Sequence, residues 1–173
     1  MDQVSPAEFE LFAMLAWEIW KEISSGEVQS SRDMRWVPPP LGQWRLDVDA
    51  GFNDTVGKYS VGAVIQNHFR IIFAASAIGI RKPGSVLEAE LSAIHFGLML
   101  AVRGNFSFVW VFSNSCNAVK EVTSKSEARN HQGLLVLNIL DIFTSGRFKK
   151  LDHVSRNANK LAHCLARFAL SHL

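Results

Sequence analysis

Three neighbouring segments with strand character, joined by short connections, constrain the fold of this chain more than any other feature. Residues 44–50 alternate, with the three charged side chains on one face and the apolar side chains on the other. Residues 59–67 and 69–79 are rich in β-forming residues and are separated by a short turn. Because connections this short join antiparallel strands, we predict an antiparallel three-stranded unit at the start of the main domain.

The chain beyond this unit alternates between helical and strand-like patterns. A break at residues 82–85 precedes a long amphipathic segment at 86–102, which Gly104 ends. The later segments predict a strand, two helices, a strand and a final helix, at 106–113, 116–124, 134–143, 147–154 and 157–172. The order predicts an α/β fold in which helices cover a mixed five-stranded sheet.

The N-terminal part of the chain has a different pattern, which predicts two further regions. Residues 1–24 carry aromatic side chains at helical spacing, among them Phe9, Trp17 and Trp20, and predict an extra amphipathic helix. Residues 25–43 predict a linker that ends in three consecutive prolines, and residues 44–173 form the main domain. The aromatic stripe packs onto the main domain, docks on an upstream domain, or recruits a protein partner.

The net charge of +2 is too small to establish nucleic-acid binding. A basic surface would have to come from local clusters, each of which is also compatible with an ordinary solvated face. Three groups are candidates: Arg81 with Lys82; Arg147 with Lys149 and Lys150; and Arg156 with Lys160 and Arg167.

Cysteine content and hydropathy limit the class of protein. The two cysteines, Cys116 and Cys164, lack the further partners of a zinc site, and we expect reduced, mostly buried thiols. The first residues do not form a secretory signal, and no apolar run is long enough to span a bilayer. We therefore expect a monomer in the nucleus or cytoplasm, neither secreted nor bound to a membrane.

Four short segments carry polar residues in a recognisable order: WRLDVDA (44–50), EAELSAIHFGL (88–98), VWVFSNSCNAV (109–119) and HVSRNANKLAHCLA (153–166). The first three resemble the acidic stations of ribonuclease H, and the last resembles its C-terminal helix. The match covers residues 44–170, and the predicted order of elements is that of the ribonuclease H fold.

Three further details resemble the ribonuclease H-like domains that plants carry, which are related to the reverse transcriptases of non-long-terminal-repeat retroelements. Trp17 and Trp20 form a Trp-x-x-Trp helix before the domain. Residues 36–49 match W-x-P-P-P-x-G-x-x-[KR]-L-x-V-D, and residues 156–166 match R-x-A-N-x-x-A-H-x-L-A.

The resemblance implies a site at Asp49, Glu90, Asn114 and His163, where the family usually carries four carboxylates. In active members such carboxylates hold two divalent ions, which activate the attacking water and stabilise the leaving oxygen. The resemblance thus implies Mg²⁺ or Mn²⁺ held by Asp49, Glu90 and Asn114, with reduced affinity because the formal charge falls from −4 to −2. It also implies that Asn159 and Ser115 contact substrate, although Asn159 could instead orient the site.

Two neighbouring acids compete with the assigned positions. Asp47 shares a strand face with Asp49, so it is either a supporting ligand or a solvent-facing side chain. Glu88 lies two residues before Glu90, and a helix turns about 200° in two residues, so the two acids cannot share a face.

Three functions remain open from sequence. The resemblance implies a domain that binds RNA–DNA hybrids and hydrolyses their RNA strand, with catalysis weak or lost. A protein-interaction module that recruits a partner through the N-terminal helix is the first alternative, and a retroelement remnant without activity is the second. The chain contains no P-loop, dinucleotide fingerprint or serine-nucleophile motif.

Overall fold

The structure is a computed structural model that describes residues 36–53, 55, 57–80, 85–124 and 131–171. The predicted helix at 1–24 and most of the predicted linker at 25–43 lie outside these residues. Within them, the strands are β1 (Trp44–Asn53), β2 (Lys58–Gln66), β3 (Ile72–Ile80), β4 (Val109–Ser113) and β5 (Phe148–His153). The helices are α1 (Val86–Arg103), α2 (Cys116–Thr123), α3 (His131–Thr144) and α4 (Lys160–Ser171), and a 3₁₀ turn (Arg156–Asn159) precedes α4.

The five strands form one mixed sheet in the order β3-β2-β1-β4-β5. β2 pairs antiparallel with both β1 and β3, whereas β4 pairs parallel with both β1 and β5. The prediction of three antiparallel strands followed by alternating helices and strands is therefore confirmed. The carboxyl ends of β1 and β4 meet at one edge of the sheet, where side chains from both strands can converge.

One face of the sheet carries the main apolar core. Leu46 and Val48 of β1 are fully buried, together with Leu91, Ile94 and Leu98 of α1. The helix approaches closely because it carries Gly97, where an added Cβ would lie 2.4 Å from the Val48 side chain. Ser85 caps α1 by accepting a hydrogen bond from the Glu88 backbone N–H. The core thus fixes the position of the helix that carries Glu90.

The opposite face is covered by α4, which contacts β1, β2 and β3. An added Cβ at Gly62 would lie 2.6 Å from the Ala166 nitrogen and 2.7 Å from the Ala162 carbonyl oxygen. Ser60 donates a hydrogen bond of 2.6 Å to the Ala166 carbonyl. Two small residues on β2 therefore allow the helix backbone to rest directly on the sheet, which places His163 above β1.

The alternative in which Asp47 faces solvent is wrong, because Asp47 is only 2% exposed. Arg45, fully buried beside it, donates to both Asp47 carboxylate oxygens at 2.6 to 2.9 Å. The same guanidinium donates to the Val37 carbonyl at 2.8 Å and to the Ala158 carbonyl at 3.3 Å. A proline-rich segment and the turn before α4 cover this face, so its charged residues lie in the interior.

Element boundaries differ from the predicted ones by a few residues. β1 extends through Asn53, beyond the alternating segment, and β4 begins at Val109, three residues later than the apolar run. The final helix is split, because residues 156–159 form a 3₁₀ turn before the α-helix begins at Lys160. That turn matters for the site, since it carries Asn159.

The expectation of mostly buried thiols is wrong for Cys116, which is exposed at the first position of α2, while Cys164 is half-buried. The two thiols are not bonded to each other. In the described ranges, no helix has the length and apolar content that crossing a membrane requires.

Candidate functional site

Asp49 lies on the covered face of β1 and is 1% exposed. It is paired in register with Gly62 of β2, and its strand neighbour Val48 is paired with Ser113 at the end of β4. The side chain of Asp49 therefore lies where β1 and β4 meet. Since an isolated buried carboxylate is costly, its partners determine what the site can do.

Glu90 reaches the same place from the first turns of α1. Burial raises the pKa of its carboxyl to about 8, and the negative charge of Asp49 adds to this rise. A hydrogen bond from the Ala50 backbone N–H and the positive charge of Arg156 lower the pKa and offset only part of the rise. Its Oε2 atom is buried, and no group among the described residues forms a hydrogen bond with it. At neutral pH without a bound cation, this carboxyl is mostly protonated.

Asn114 follows β4 directly and is held by a second asparagine. The buried Asn159 amide donates to the Asn114 Oδ1 atom at 2.9 Å and to the Val48 carbonyl at 2.8 Å. Asn159 thus ties the turn before α4 to the ends of β1 and β4. This contact fits the orienting role for Asn159 that the sequence left open, while its contact with substrate stays a prediction.

His163 lies on α4, one turn after Asn159. Its Nδ1 atom is 2.6 Å from Asp49 Oδ2, and the histidine side chain is 25% exposed. When Asp49 is ionised it can only accept, and in that state the hydrogen bond requires the tautomer or charge state of His163 that carries a proton on Nδ1. The imidazole uses one lone pair of this oxygen, and the other lone pairs of the carboxylate remain as acceptors for a cation.

Ser115 caps α2 at the edge of the site. Its hydroxyl accepts a hydrogen bond of 3.4 Å from the Ala118 backbone N–H, and its own N–H donates to Ser113 Oγ at 3.1 Å. These contacts account for the serine as a helix cap. Its predicted contact with substrate stays a prediction.

The structure therefore brings together all four residues that the sequence assigned. Asp49 and Glu90 repel each other electrostatically, Asp49 contacts His163, and Asn114 is held beside Val48 through Asn159. With both carboxyls ionised, the formal charge of the four residues is −2, and protonation of Glu90 makes it less negative. The side-chain oxygen atoms of Asp49, Glu90 and Asn114 can bind a cation, an amide or a hydroxyl group.

A model of the family described as reverse transcriptase-like matches residues 47–169. The chain belongs to this family. The match spans β1 to α4 and includes every residue of the candidate site. Among curated proteins, no significant match was found.

Solved structures support a ribonuclease H fold for this reverse transcriptase-like domain. Ribonuclease H1 from the halophilic archaeon Halobacterium salinarum is 21% identical, with a TM-score of 0.69 over 76% of this chain and all of the other. The ribonuclease H domain of Rv2228c from Mycobacterium tuberculosis is 22% identical, with a TM-score of 0.67 over 75% of this chain and 94% of the other.

A third solved structure, LC11 ribonuclease H1 in complex with an RNA/DNA hybrid, is 20% identical, with a TM-score of 0.65 over 75% of this chain and 98% of the other. Together these neighbours confirm that the reverse transcriptase-like domain has a ribonuclease H-like α/β fold.

The residues of the site fit one divalent cation better than two. Asp49, Glu90 and Asn114 offer oxygen atoms, the ligand type that Mg²⁺ prefers, and the unpartnered Glu90 Oε2 provides a buried acceptor. Two carboxylates balance the charge of one dication, whereas two dications would leave two positive charges uncompensated. Across the described ranges, no three His, Cys, Asp or Glu side chains form a metal-holding group. A cation held by Asp49 and Glu90 would need a further oxygen ligand, which the Asn114 amide could supply.

Two features of the site were missed by sequence reasoning. Arg156 lies close enough to Glu90 to lower its pKa, although the sequence placed it only in a basic cluster. The bridge from Asn159 to both Val48 and Asn114 was not foreseen in detail. The sequence indicated Arg156 and Asn159 only through their place in the R-x-A-N segment. Their partners lie more than 40 positions away in the chain, and such contacts depend on the fold.

Proposed function

We propose that this domain binds RNA–DNA hybrids at the site formed by Asp49, Glu90, Asn114 and His163, and that its hydrolysis of the RNA strand is weak or lost. The observation that carries the proposal is the convergence of the two carboxylates at the β1–β4 edge, with the remaining two positions filled by an amide and an imidazole. The site keeps the position of a nuclease centre while half of its anionic charge is gone.

Binding is supported by the solved relatives. The LC11 ribonuclease H1 and a foamy viral protease-reverse transcriptase were each solved with an RNA/DNA hybrid, and the viral protein also with double-stranded DNA. Duplexes are recognised mainly through backbone shape and the RNA 2′-hydroxyls, which does not require catalytic carboxylates. We therefore expect binding to survive the loss of charge.

The cofactor we propose is a single Mg²⁺ or Mn²⁺ ion, held weakly by Asp49, Glu90 and the Asn114 amide oxygen. Such an ion, when bound, polarises a phosphoryl oxygen and lowers the pKa of a coordinated water. We expect any activity to be greater with Mn²⁺ if His163 joins these three ligands, because histidine suits Mn²⁺ better than Mg²⁺.

The side chains of the domain limit how readily the site can act. Glu90 must lose its proton to become an anionic ligand, and its pKa of about 8 opposes this at neutral pH. His163 holds Asp49 by a short hydrogen bond, and Asn159 holds the Asn114 oxygen that would face a cation. Both contacts orient the oxygens, and both also compete with a cation for them.

A labelled RNA–DNA hybrid tests binding and cleavage in one preparation. We expect salt-sensitive binding by fluorescence anisotropy and little or no cleavage with Mg²⁺. If the wild type cleaves the RNA strand and Glu90→Gln abolishes this, while Asp141→Asn on the exposed face of α3 does not, the domain is an active enzyme and the proposed loss of hydrolysis is wrong.

Restoring the missing charge provides the sharper test. The double variant Asn114→Asp/His163→Asp should bind divalent cations more tightly than the wild type in a calorimetric titration, and it should gain cleavage. Tighter ion binding without any hybrid binding would contradict the proposed function.

A further inference from the structure

Two lysines of β5 lie over aromatic rings at the end of the sheet opposite the candidate site. Lys149 Nζ is 4.6 Å from the ring centroid of Phe108, and Lys150 Nζ is 4.3 Å from that of Trp110. Together with Arg147 these residues define the β4–β5 patch. Cations at such distances from a ring centroid form cation–π contacts, so the patch combines positive charge with aromatic faces.

Phe108 is the most accessible ring of the patch. It is 51% exposed and has a φ angle of 59°, a left-handed conformation that is unfavourable for a bulky side chain. The Phe108 carbonyl accepts a hydrogen bond of 3.3 Å from the Trp44 backbone N–H, so the backbone is held at the start of β1 while the ring stays half exposed. Backbone strain of this kind concentrates at binding sites.

Lys149 lies at an irregularity in the pairing of β4 with β5. Val109 pairs with Phe148 and the next residue, Trp110, pairs with Lys150, so the register skips Lys149. Its side chain is exposed, and β5 is an outer strand of the sheet.

Charge around the patch is strongly one-sided. Segments 103–113 and 145–153 contain four basic side chains and one carboxylate, Asp152, which forms an ion pair with Lys150. Arg147 is fixed in place, since its Nη1 donates to Asn105 Oδ1 at 3.0 Å and to the Phe106 carbonyl at 3.4 Å. The patch is therefore complementary to an anionic partner.

We propose that the β4–β5 patch binds single-stranded nucleic acid, with a base stacked on Phe108 and phosphates contacting Lys149, Lys150 and Arg147. A single strand presents unpaired bases and phosphates in alternation. The bases can stack on the aromatic rings of the patch, and the phosphates can contact the neighbouring ammonium groups. An acidic protein segment would satisfy the charges but offers no regular series of planar faces to the ring.

The patch is separate from the candidate site. Trp110 precedes Asn114 by four residues in an extended strand, which corresponds to about 13 Å. The proposal therefore does not depend on hybrid binding or on hydrolysis, and the two can fail independently.

Fluorescence anisotropy of the full chain with labelled oligothymidylate and oligouridylate tests the patch. Phe108→Leu keeps the apolar volume but removes the aromatic face, and we expect it to weaken single-strand binding about tenfold. Phe108→Tyr keeps the face and should bind like the wild type. Because Phe108 is half exposed, both variants should fold, which circular dichroism checks.

Charge reversal provides the second arm. Lys149→Glu should weaken single-strand binding and reduce its dependence on salt. Arg167→Glu makes the same change in another basic cluster on the exposed side of α4, and it should have a much smaller effect. Lys149→Glu should lower the affinity for a hybrid duplex much less than it lowers the affinity for single strands.

Three results would overturn the proposal. The first is no binding of either single strand at about 0.1 M ionic strength. The second is an equal loss of single-strand affinity in Lys149→Glu and Arg167→Glu, which would show that only the net charge of the protein matters. The third is an oligoglutamate peptide that competes as well as the oligonucleotides and is insensitive to Phe108→Leu, which would make the partner an acidic protein.

Discussion

Strand β1 carries two buried carboxylates on the same face, and their surroundings differ. Asp47 is held by the fully buried Arg45, which donates three hydrogen bonds to it and lies 4.1 Å from the Phe112 ring centroid. Asp49, two residues later, has a partly exposed histidine on one side and the carboxyl of Glu90 on the other. One carboxylate is paired with a permanent cation, while the other faces a second acid.

The difference indicates which charged residues serve the fold and which serve a site. Burial raises the pKa of Asp47, and the hydrogen bonds and positive charge of Arg45 offset part of that rise. The same guanidinium joins β1 to the proline-rich segment and the turn before α4. Two carboxyls that repel each other in a buried place destabilise the folded state unless a proton or a cation joins them. Asp49 and Glu90 are thus candidates for function, because the negative charge of Asp49 adds to the cost of ionising the buried Glu90.

The largest expected effect comes from unpairing Asp47. Arg45→Met removes the cation and leaves the carboxylate buried, which should lower the free energy of unfolding by about 3–5 kcal/mol in urea denaturation. Arg45→Met/Asp47→Leu removes both charges and should recover much of the loss. A cost below about 1 kcal/mol for the single variant would mean that Asp47 is not compensated by Arg45.

Glu90→Gln should raise the free energy of unfolding at high pH, whereas Arg45→Met lowers it. Because the pKa of Glu90 is raised from 4.5 to about 8, the folded protein holds an extra proton between these values and loses stability as the pH rises through them. Without divalent ions and above that range, the variant should be more stable than the wild type by on the order of 2 kcal/mol. The exposed control Asp141→Asn should follow the wild-type pH profile, and a Glu90→Gln profile parallel to it would refute the raised pKa.

Asn159→Ala tests the bridge that organises the site. It removes the hydrogen bonds to Val48 and Asn114 and should cost about 1–2 kcal/mol in thermal or chemical unfolding. The matched control Asn157→Ala, in the same turn but exposed, should cost less. Equal costs would show that the turn, and not the bridge, provides the stability.

The smallest effect is expected for the exposed ion pair between Lys150 and Asp152, whose side chains are 38% and 46% exposed. Asp152→Asn should change the free energy of unfolding by less than about 1 kcal/mol, since water already solvates both charges. If Asp152→Asn lowered the free energy of unfolding as much as Arg45→Met, then buried and exposed ion pairs would contribute equally to stability in this protein.

Much of the fold was predictable because its signals are local. The alternating pattern of β1, the helical period of α1 and the short connections between the first strands specify elements and their order. The local patterns did not predict that α4 and the proline-rich segment cover the face of β1 that carries Asp47. For that reason the alternative in which Asp47 faces solvent is wrong. The close approach of α4 depends on Gly62 and Ser60, whose small size is visible in sequence but whose partners are not.

The sequence alone determined the order of the elements, the strand face shared by Asp47 and Asp49, and the identity of the residues at the four site positions. The tertiary structure decided which carboxylate is neutralised, because a buried charge is stabilised only by groups that the fold brings within a few ångströms of it. Arg45 reaches Asp47 along the strand, whereas Glu90 and His163 reach Asp49 from two different helices. The charge state of the site is therefore a property of the packing between the helices and the sheet.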